Sequence, residues 1–151
     1  MSSFIGSEIS VVDSKGRITV PARLRKGLDP DAADTFTIVK GPDGCVNLYP
    51  LDEWRRFTER LRGFSLGDAR ARSFFRELSE SAHEAQIDGQ GRILLTARLL
   101  ALAGVTREAK LVGAIDHIEL WDPKRFDTGV SNNGASFEDM LRDLLGPGSP
   151  S

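Results

Sequence analysis

The sequence predicts an α+β protein built from two pseudo-symmetric copies of one unit, and three observations carry that prediction. First, the phrase Asp-x-x-Gly-Arg-Ile occurs twice, as Asp13, Gly16, Arg17, Ile18 and as Asp88, Gly91, Arg92, Ile93, at an offset of 75 residues. Second, short β-branched or alternating runs bounded by turn residues are interleaved with segments of helical period. Third, a chain of 151 residues suits one compact domain or two very small ones, on a prior of ~150 residues per domain. Half of it would bury only a marginal core by itself. The natural partner of each repeat is the other, so strands from both halves are expected to pair around one shared core.

The elements follow in order. Residues 8–12 alternate and are rich in β-branched side chains, as in a half-buried strand. Asp13-Ser14-Lys15-Gly16 is a turn, because an Asp carboxylate can bond amides two residues on and Gly can take a positive φ. Residues 17–20 form the returning strand, with Ile18 and Val20 on one face and Arg17 and Thr19 on the other. Pro21 opens a short helix over 22–26, with Gly27 at its expected cap. Two strands, 35–40 and 45–49, are joined by the turn sequence Gly41-Pro42-Asp43-Gly44.

Leu51, Trp54, Phe57 and Leu61 recur at helical spacing up to Gly63. Ser65-x-x-Asp68 reads as a capping box for a second helix, whose apolar stripe is Ala71, Phe74, Phe75, Leu78 and Ala82. The Phe74, Phe75 and Leu78 stripe reads most simply as core contact, yet the chain carries more amphipathic helical surface than two small barrels need, so part of that surface is available for subunit contacts. The second repeat then repeats strand, turn, strand, helix and hairpin, with its helix between Thr96 and Gly104 and its hairpin at 110–114 and 118–121. Phe36-Thr37-Ile38-Val39 aligns with Leu111-Val112-Gly113-Ala114, and Val46-Asn47-Leu48-Tyr49 with Ile118-Glu119-Leu120-Trp121. A helix beginning at Lys124 is expected to be cut short by 127–129 and 131–134. Ser136-x-x-Asp139 opens a last helix ended by Gly146-Pro147, and the final four residues are expected to be disordered. The domain reading is 5–54, linker helices 55–82, 83–126, then a flexible linker, helix and tail over 127–151.

Composition, 40% hydrophobic and 28% charged, indicates neither a disordered nor a fibrous chain. The N-terminal residues lack the basic and apolar regions of a secretory signal, and no apolar run suits a membrane span. These features lead to an expectation of a cytoplasmic protein without a membrane partner. A lone cysteine and two histidines make a zinc site improbable, and no cofactor is expected. Net charge is −2, yet residues 10–27 carry five cations against one anion, which suits a polyanion at one surface.

A tight turn projecting Lys15, followed by Arg17 opposite Ile18, is a credible reader of nucleic acid. The arginine fork can take guanine O6 and N7 or a phosphate, and a two-stranded ribbon fits the major groove. Arg23 and Arg25 on the next helix are better placed for phosphates. The alternative is that Asp13 and Arg17 pair across the turn and simply hold it; Asp13 and Asp88, like Gly16 and Gly91, are structural under either reading. Other chemistry is weaker. Ser81, His83 and Asp88 invite a triad, but no nucleophile elbow surrounds the serine. His117 at a hairpin bend is expected to be solvated, Glu119 and Asp122 to be surface charges, and Cys45 to pack rather than react. No enzyme is read from the chain.

Residues 13–25, the second signature 88–92, Tyr49-Pro50-Leu51-x-x-Trp54 and Glu119-Leu120-Trp121-Asp122 resemble the MraZ family of tandem SpoVT-AbrB proteins. The resemblance spans about 4–126. It implies a swapped-hairpin (double-split) β-barrel with flanking helices, assembled as a homo-oligomeric ring. It implies a nucleoid-associated transcriptional repressor that binds double-stranded DNA at G-rich direct repeats upstream of its own division and cell-wall gene cluster. DNA contact then falls to Lys15, Arg17, Arg23, Arg25 and Arg92. Two departures are visible. Thr96 and Ala97 stand where the family usually has a proline, and Leu100 where it often has arginine, so the second repeat is expected to contribute less. Around Arg17 lie Lys15, Arg23, Arg25 and Lys26, whereas around Arg92 only Arg98 is expected. A protein-interaction module of the antitoxin kind, acting through the C-terminal helix, is the competing function.

Overall fold

Pairing between the repeats, added to one hairpin within each, organises the structure. The computed structural model describes residues 1–129 and 136–146. The first repeat supplies β1 (Ser7–Val11), β2 (Arg17–Thr19), α1 (Ala22–Arg25), β3 (Thr35–Lys40), β4 (Val46–Pro50) and α2 (Leu51–Leu61). Helix α3 (Ala69–Glu80) leads to β5 (His83–Gln86), β6 (Arg92–Leu94), α4 (Ala97–Ala103), β7 (Glu108–Gly113), β8 (Ile118–Trp121), α5 (Pro123–Gly129) and α6 (Phe137–Leu145). Helix α5 runs through Gly129, so 127–129 do not cut it short as expected, while the expected helix break at 131–134 and the expected disorder of the last four residues lie outside the described residues.

Six strands form one antiparallel sheet in the order β1-β7-β8-β4-β3-β5, and β2 and β6 form a separate antiparallel ribbon. The first strand of each repeat therefore joins the hairpin of the other, β1 on β7 and β5 on β3. This corrects the reading of residues 17–20 as a strand that returns along 8–12: β1 and β2 are joined by a turn but pair with different partners. The sheet leaves β1 and β5 as separate edges, so its hydrogen bonding does not close into a barrel. The ribbon instead presses Ile18 and Ile93, directly opposed and almost wholly buried, into the shared core. Val20, Leu24, Phe36, Ile38, Leu48, Leu95, Leu99 and Leu111 complete that core from both repeats. Truncating either isoleucine to alanine would cost ~2–5 kcal/mol, the range for large-to-small changes in a packed core.

The register refines the internal alignment. Phe36 faces Ala85, and Ala109 faces Ser10, the equivalent of Ala85. Phe36 thus corresponds to Ala109 rather than to Leu111. The second repeat reaches its hairpin sooner because the first carries an extra 3-10 turn, Pro30–Ala32, before β3. The alignment of Leu48 with Leu120 holds, since each faces its hairpin partner, Ile38 and Leu111.

Several local details also differ from expectation. Strand β1 alternates, but Ser10 faces inward, its hydroxyl donating to the Thr19 carbonyl (3.0 Å), while Ile9 and Val11 lie exposed. Pro21 is the cap of α1 rather than its first turn, and Lys26, not Gly27, closes it. Gly27 is required for another reason: a Cβ there would sit 2.0 Å from the Ser3 carbonyl oxygen. Asp68 alone caps α3, accepting from the Arg70 amide (2.8 Å), while Ser65 accepts from Gly67. Thr96, Gly104 and Ser136 cap α4 and α6 as their sequence contexts indicate. Of the α3 stripe, Leu78 is buried and Phe74 is exposed.

Helices α2 and α3 lie over β3 and β4, where Tyr49 stacks on Phe57 at 5.1 Å and on His117 at 5.0 Å. His117 is therefore half-buried rather than solvated. Its Nδ1 lies 2.7 Å from Asp116, and its Nε2 lies 3.8 Å from Glu119. Burial works against its charge, but the two carboxylates outweigh burial and raise its pKa. Glu119 is no simple surface charge either, since it accepts from the Trp121 indole (3.0 Å). Asp122 accepts from the Arg125 amide (3.0 Å) at the start of α5. Cys45 is enclosed, and burial, with Glu119 and Asp43 nearby, pushes its thiol up to about 12. Cys45 is accordingly expected to resist a maleimide at mildly alkaline pH in the native protein and to react fully in denaturant; a mass measurement before and after unfolding checks this.

Candidate nucleic-acid interface

The two signature turns are built bond for bond alike. Asp13 Oδ1 accepts from the amides of Lys15 and Arg17, both at 2.9 Å, and Oδ2 accepts from Arg17 Nε at 2.7 Å. Asp88 Oδ1 accepts from Gln90 and Arg92, again at 2.9 Å, and Oδ2 accepts from Arg92 Nε at 2.9 Å. The Arg17 amide, the Arg17 side chain and the Lys15 amide hold the Asp13 carboxyl down to about 2 against partial desolvation. The matching bonds lower Asp88. An acidic residue at the first position and arginine four later are therefore needed for the turn itself, by a carboxylate gathering several donors.

Each turn is completed by the other repeat. The Leu95 amide donates to the Gly16 carbonyl (2.9 Å), and the Val20 amide donates to the Gly91 carbonyl (2.8 Å). Gly16 and Gly91 have φ of +83° and +78°, a region where only glycine is unstrained. A Cβ on Gly16 would also lie 2.9 Å from the Leu95 carbonyl oxygen, and one on Gly91 would lie 3.0 Å from the Arg25 guanidinium carbon. Because β2 and β6 run antiparallel, the turns stand at opposite ends of one ribbon. Arg17, Thr19, Arg92 and Leu94 alternate with the buried isoleucines and form its outer face.

The structure brings Asp13, Gly16 and Arg17 together, and likewise Asp88, Gly91 and Arg92. Both arginines are held through Nε, and among the described residues neither makes a side-chain hydrogen bond through its Nη atoms. Lys15, Arg23 and Arg25 are exposed, Arg23 lying beside Gly6.

The neighbourhood of the second turn differs from the sequence reading. Arg25 donates from Nε to the Val20 carbonyl (2.8 Å) and rests its guanidinium against Gly91. A cation of the first repeat thus stands at the turn of the second. Arg98, expected to be that turn's neighbouring cation, is bound to Glu80. Sequence proximity could not reveal this exchange, because the strand pairing that produces it is long-range. Ser81 is buried, its hydroxyl without a hydrogen-bond partner among the described residues, and His83 lies in β5; no hydrogen bond joins them to each other or to Asp88 there.

Two interlocked Asp-x-x-Gly-Arg units sharing one ribbon define the class: a tandem-repeat protein in which each half completes the other. Comparison with known sequences agrees. The family described as "MraZ protein, putative antitoxin-like" matches at residues 4–77 and again at 78–146. The transcriptional regulator MraZ of Natranaerobius thermophilus is 33% identical over 142 residues, covering 94% of this chain and 96% of the relative. The protein of the same name from Desulforamulus reducens is 36% identical, covering 94% and 97%, and that from Clostridium beijerinckii 39%, covering 86% and 89%. The chain belongs to the MraZ family.

Asp13 allows a test of what holds the turns. Its folded pKa lies below the ordinary 3.8, so the stability its charge adds is complete above that value and is lost as pH falls through about 2. Asp13→Asn is expected to lower the urea midpoint at neutral pH, and the gap to the parent protein is expected to close over that acid window. A gap unchanged at the acid end would show that carboxylate charge does not hold the turn.

Proposed function

We propose that this chain is a DNA-binding transcriptional regulator, a repressor acting at its own promoter upstream of a division and cell-wall gene cluster. The observation that carries the reading is the exposed ribbon with a signature turn at each end. In this reading the sheet and ribbon serve as the walls of a swapped-hairpin barrel, and the ribbon's outer face enters a major groove ~12 Å wide. Arg17 and Arg92 offer their Nη edges to guanines in G-rich direct repeats, while Lys15, Arg23 and Arg25 meet phosphates of double-stranded DNA. The relatives' name, transcriptional regulator, supports it. The protein then works in the cytoplasm on the nucleoid as a homo-oligomeric ring; exposed Ile9 and Val11 on edge strand β1 support self-association. Footprinting the purified protein on the DNA upstream of its gene tests the whole reading, and uniform cleavage across that region would sink it.

A second reading, antitoxin-like capture of a protein partner, draws on the family's description and on the exposed apolar side of α6. It predicts that α6 variants lose a partner in a pull-down and that Arg17→Ala leaves that partner bound.

Under the DNA reading, Arg17→Ala and Arg92→Ala each weaken operator binding by ~1–3 kcal/mol per lost bidentate contact and relax discrimination against scrambled DNA. With Arg25 standing at the second turn, Arg92→Ala is no longer expected to be the milder change. Circular dichroism melts run beside the titrations separate lost contacts from a loosened turn; a variant that melts early yet binds with full discrimination would assign its arginine to the turn alone. Arg25→Ala is expected to lower the log–log salt slope by ~0.9, and an identical slope would remove Arg25 from the phosphate contacts. Light scattering at micromolar concentration is expected to show an oligomer, and a monomer would end the ring assignment.

A further inference from the structure

Helix α6 carries Phe137, Met140, Leu141, Leu144 and Leu145, the spacing by which one face of a helix enters a groove. None of the five is buried: Phe137 is 70%, Leu144 69% and Leu145 78% exposed. By helical spacing Glu138 and Asp143 flank that stripe on either side, while Asp139 and Arg142 lie opposite it and pair with each other.

The same chain carries an open apolar groove elsewhere. Two adjoining depressions of about 400 and 530 Å³ run along the exit of α2 and the entry of α3, sharing Leu61, Phe64 and Phe75. Phe64 is 60% and Leu66 70% exposed. The charged residues lining these depressions are Arg60 and Arg62, and neither depression is lined by a carboxylate. Arg60 lies over the Phe57 ring, Arg72 donates to the Leu66 carbonyl, and Glu59 stands 3.9 Å from Arg62.

We infer that α6 of one copy docks into the α2–α3 groove of a second copy. Apolar anchors meet an apolar floor, and an acidic helix meets a rim whose lining charges are arginines. Among the described residues of one chain both faces stand uncovered at once, which a contact between them inside the chain would not leave. A nine-residue helix spans ~13 Å, long enough to cross both depressions. Such a contact joins two different patches, so it runs head to tail and builds either a closed ring or an open chain. The inference rests on the self-association reading above and names the contact responsible.

Cross-linking tests it on the full chain. Ser65→Cys lies between the groove residues Phe64 and Leu66, and Leu145→Cys lies at the exposed end of α6; buried Cys45 stays silent. Chains carrying only one substitution each are mixed and treated with a short bis-maleimide. The expected product is a peptide containing position 65 linked to one containing position 145, which can arise only between chains. Adding Leu141→Asp and Leu144→Asp to the Leu145→Cys chain is expected to cut that product about tenfold or more, as when two anchor residues of an interface are removed. The three leucines are exposed in the single chain, so circular dichroism of these variants is expected to match the parent's. No linked peptide from the mixture overturns the inference, whether or not a separate chain carrying both cysteines links within itself. Light scattering on the same samples separates the two readings: an oligomer without the link removes the α6 contact alone, and a monomer removes self-association as well.

Discussion

The structure depends on a pair of reciprocal backbone bonds, Leu95 to Gly16 and Val20 to Gly91. They flank a ribbon whose strands are only three residues each. A ribbon so short is not stable by itself in water, and it persists because Ile18 and Ile93 seal one face of the core. Neither repeat supplies both strands. Each half is therefore unfinished alone, its turn lacking the amide that closes it and its core lacking a lid.

That interlock has electrostatic consequences. Antiparallel pairing sends the helix of each repeat toward the turn of the other, which is how Arg25 comes to rest on Gly91. Arg98 is neutralised by Glu80. The charge that the second repeat lacks in sequence is thus partly restored in space. Asp13 and Asp88 each accept three donors and fix the arginine that follows, so one arrangement both builds the turn and aims a guanidinium. A structural and a recognising role for Arg17 are compatible, because the turn engages Nε and, among the described residues, leaves the Nη atoms without a hydrogen bond.

Apolar surface is distributed unevenly. The sheet and ribbon bury nearly everything that faces them, while Ile9 and Val11 on β1, Phe64 and Leu66 after α2, and the stripe of α6 stay exposed. Scattered exposed side chains are ordinary, but contiguous ones mark contact sites. Their positions at an edge strand, a helical groove and a terminal helix are the surfaces on which the proposed self-association rests.

The residues by themselves determined what depends on near neighbours. The Asp-x-x-Gly-Arg turns, the caps at Thr96, Gly104 and Ser136, and the helical stripes were legible because a turn or a helical period is decided within a few positions of chain. The repeat also made a shared core legible, since half the chain cannot bury enough surface alone. Tertiary structure decided the rest. Alternation in β1 could not say which side faces the core, and Ser10 rather than Ile9 turned inward because β1 lies on a hairpin of the other repeat. The two-residue shift that sets Phe36 beside Ala109 instead of Leu111 came from the 3-10 turn before β3. Arg25 at Gly91 and His117 beneath Tyr49 are contacts between elements far apart in sequence. They follow from strand order, and strand order is a property of the whole chain packing at once, which no window of residues contains.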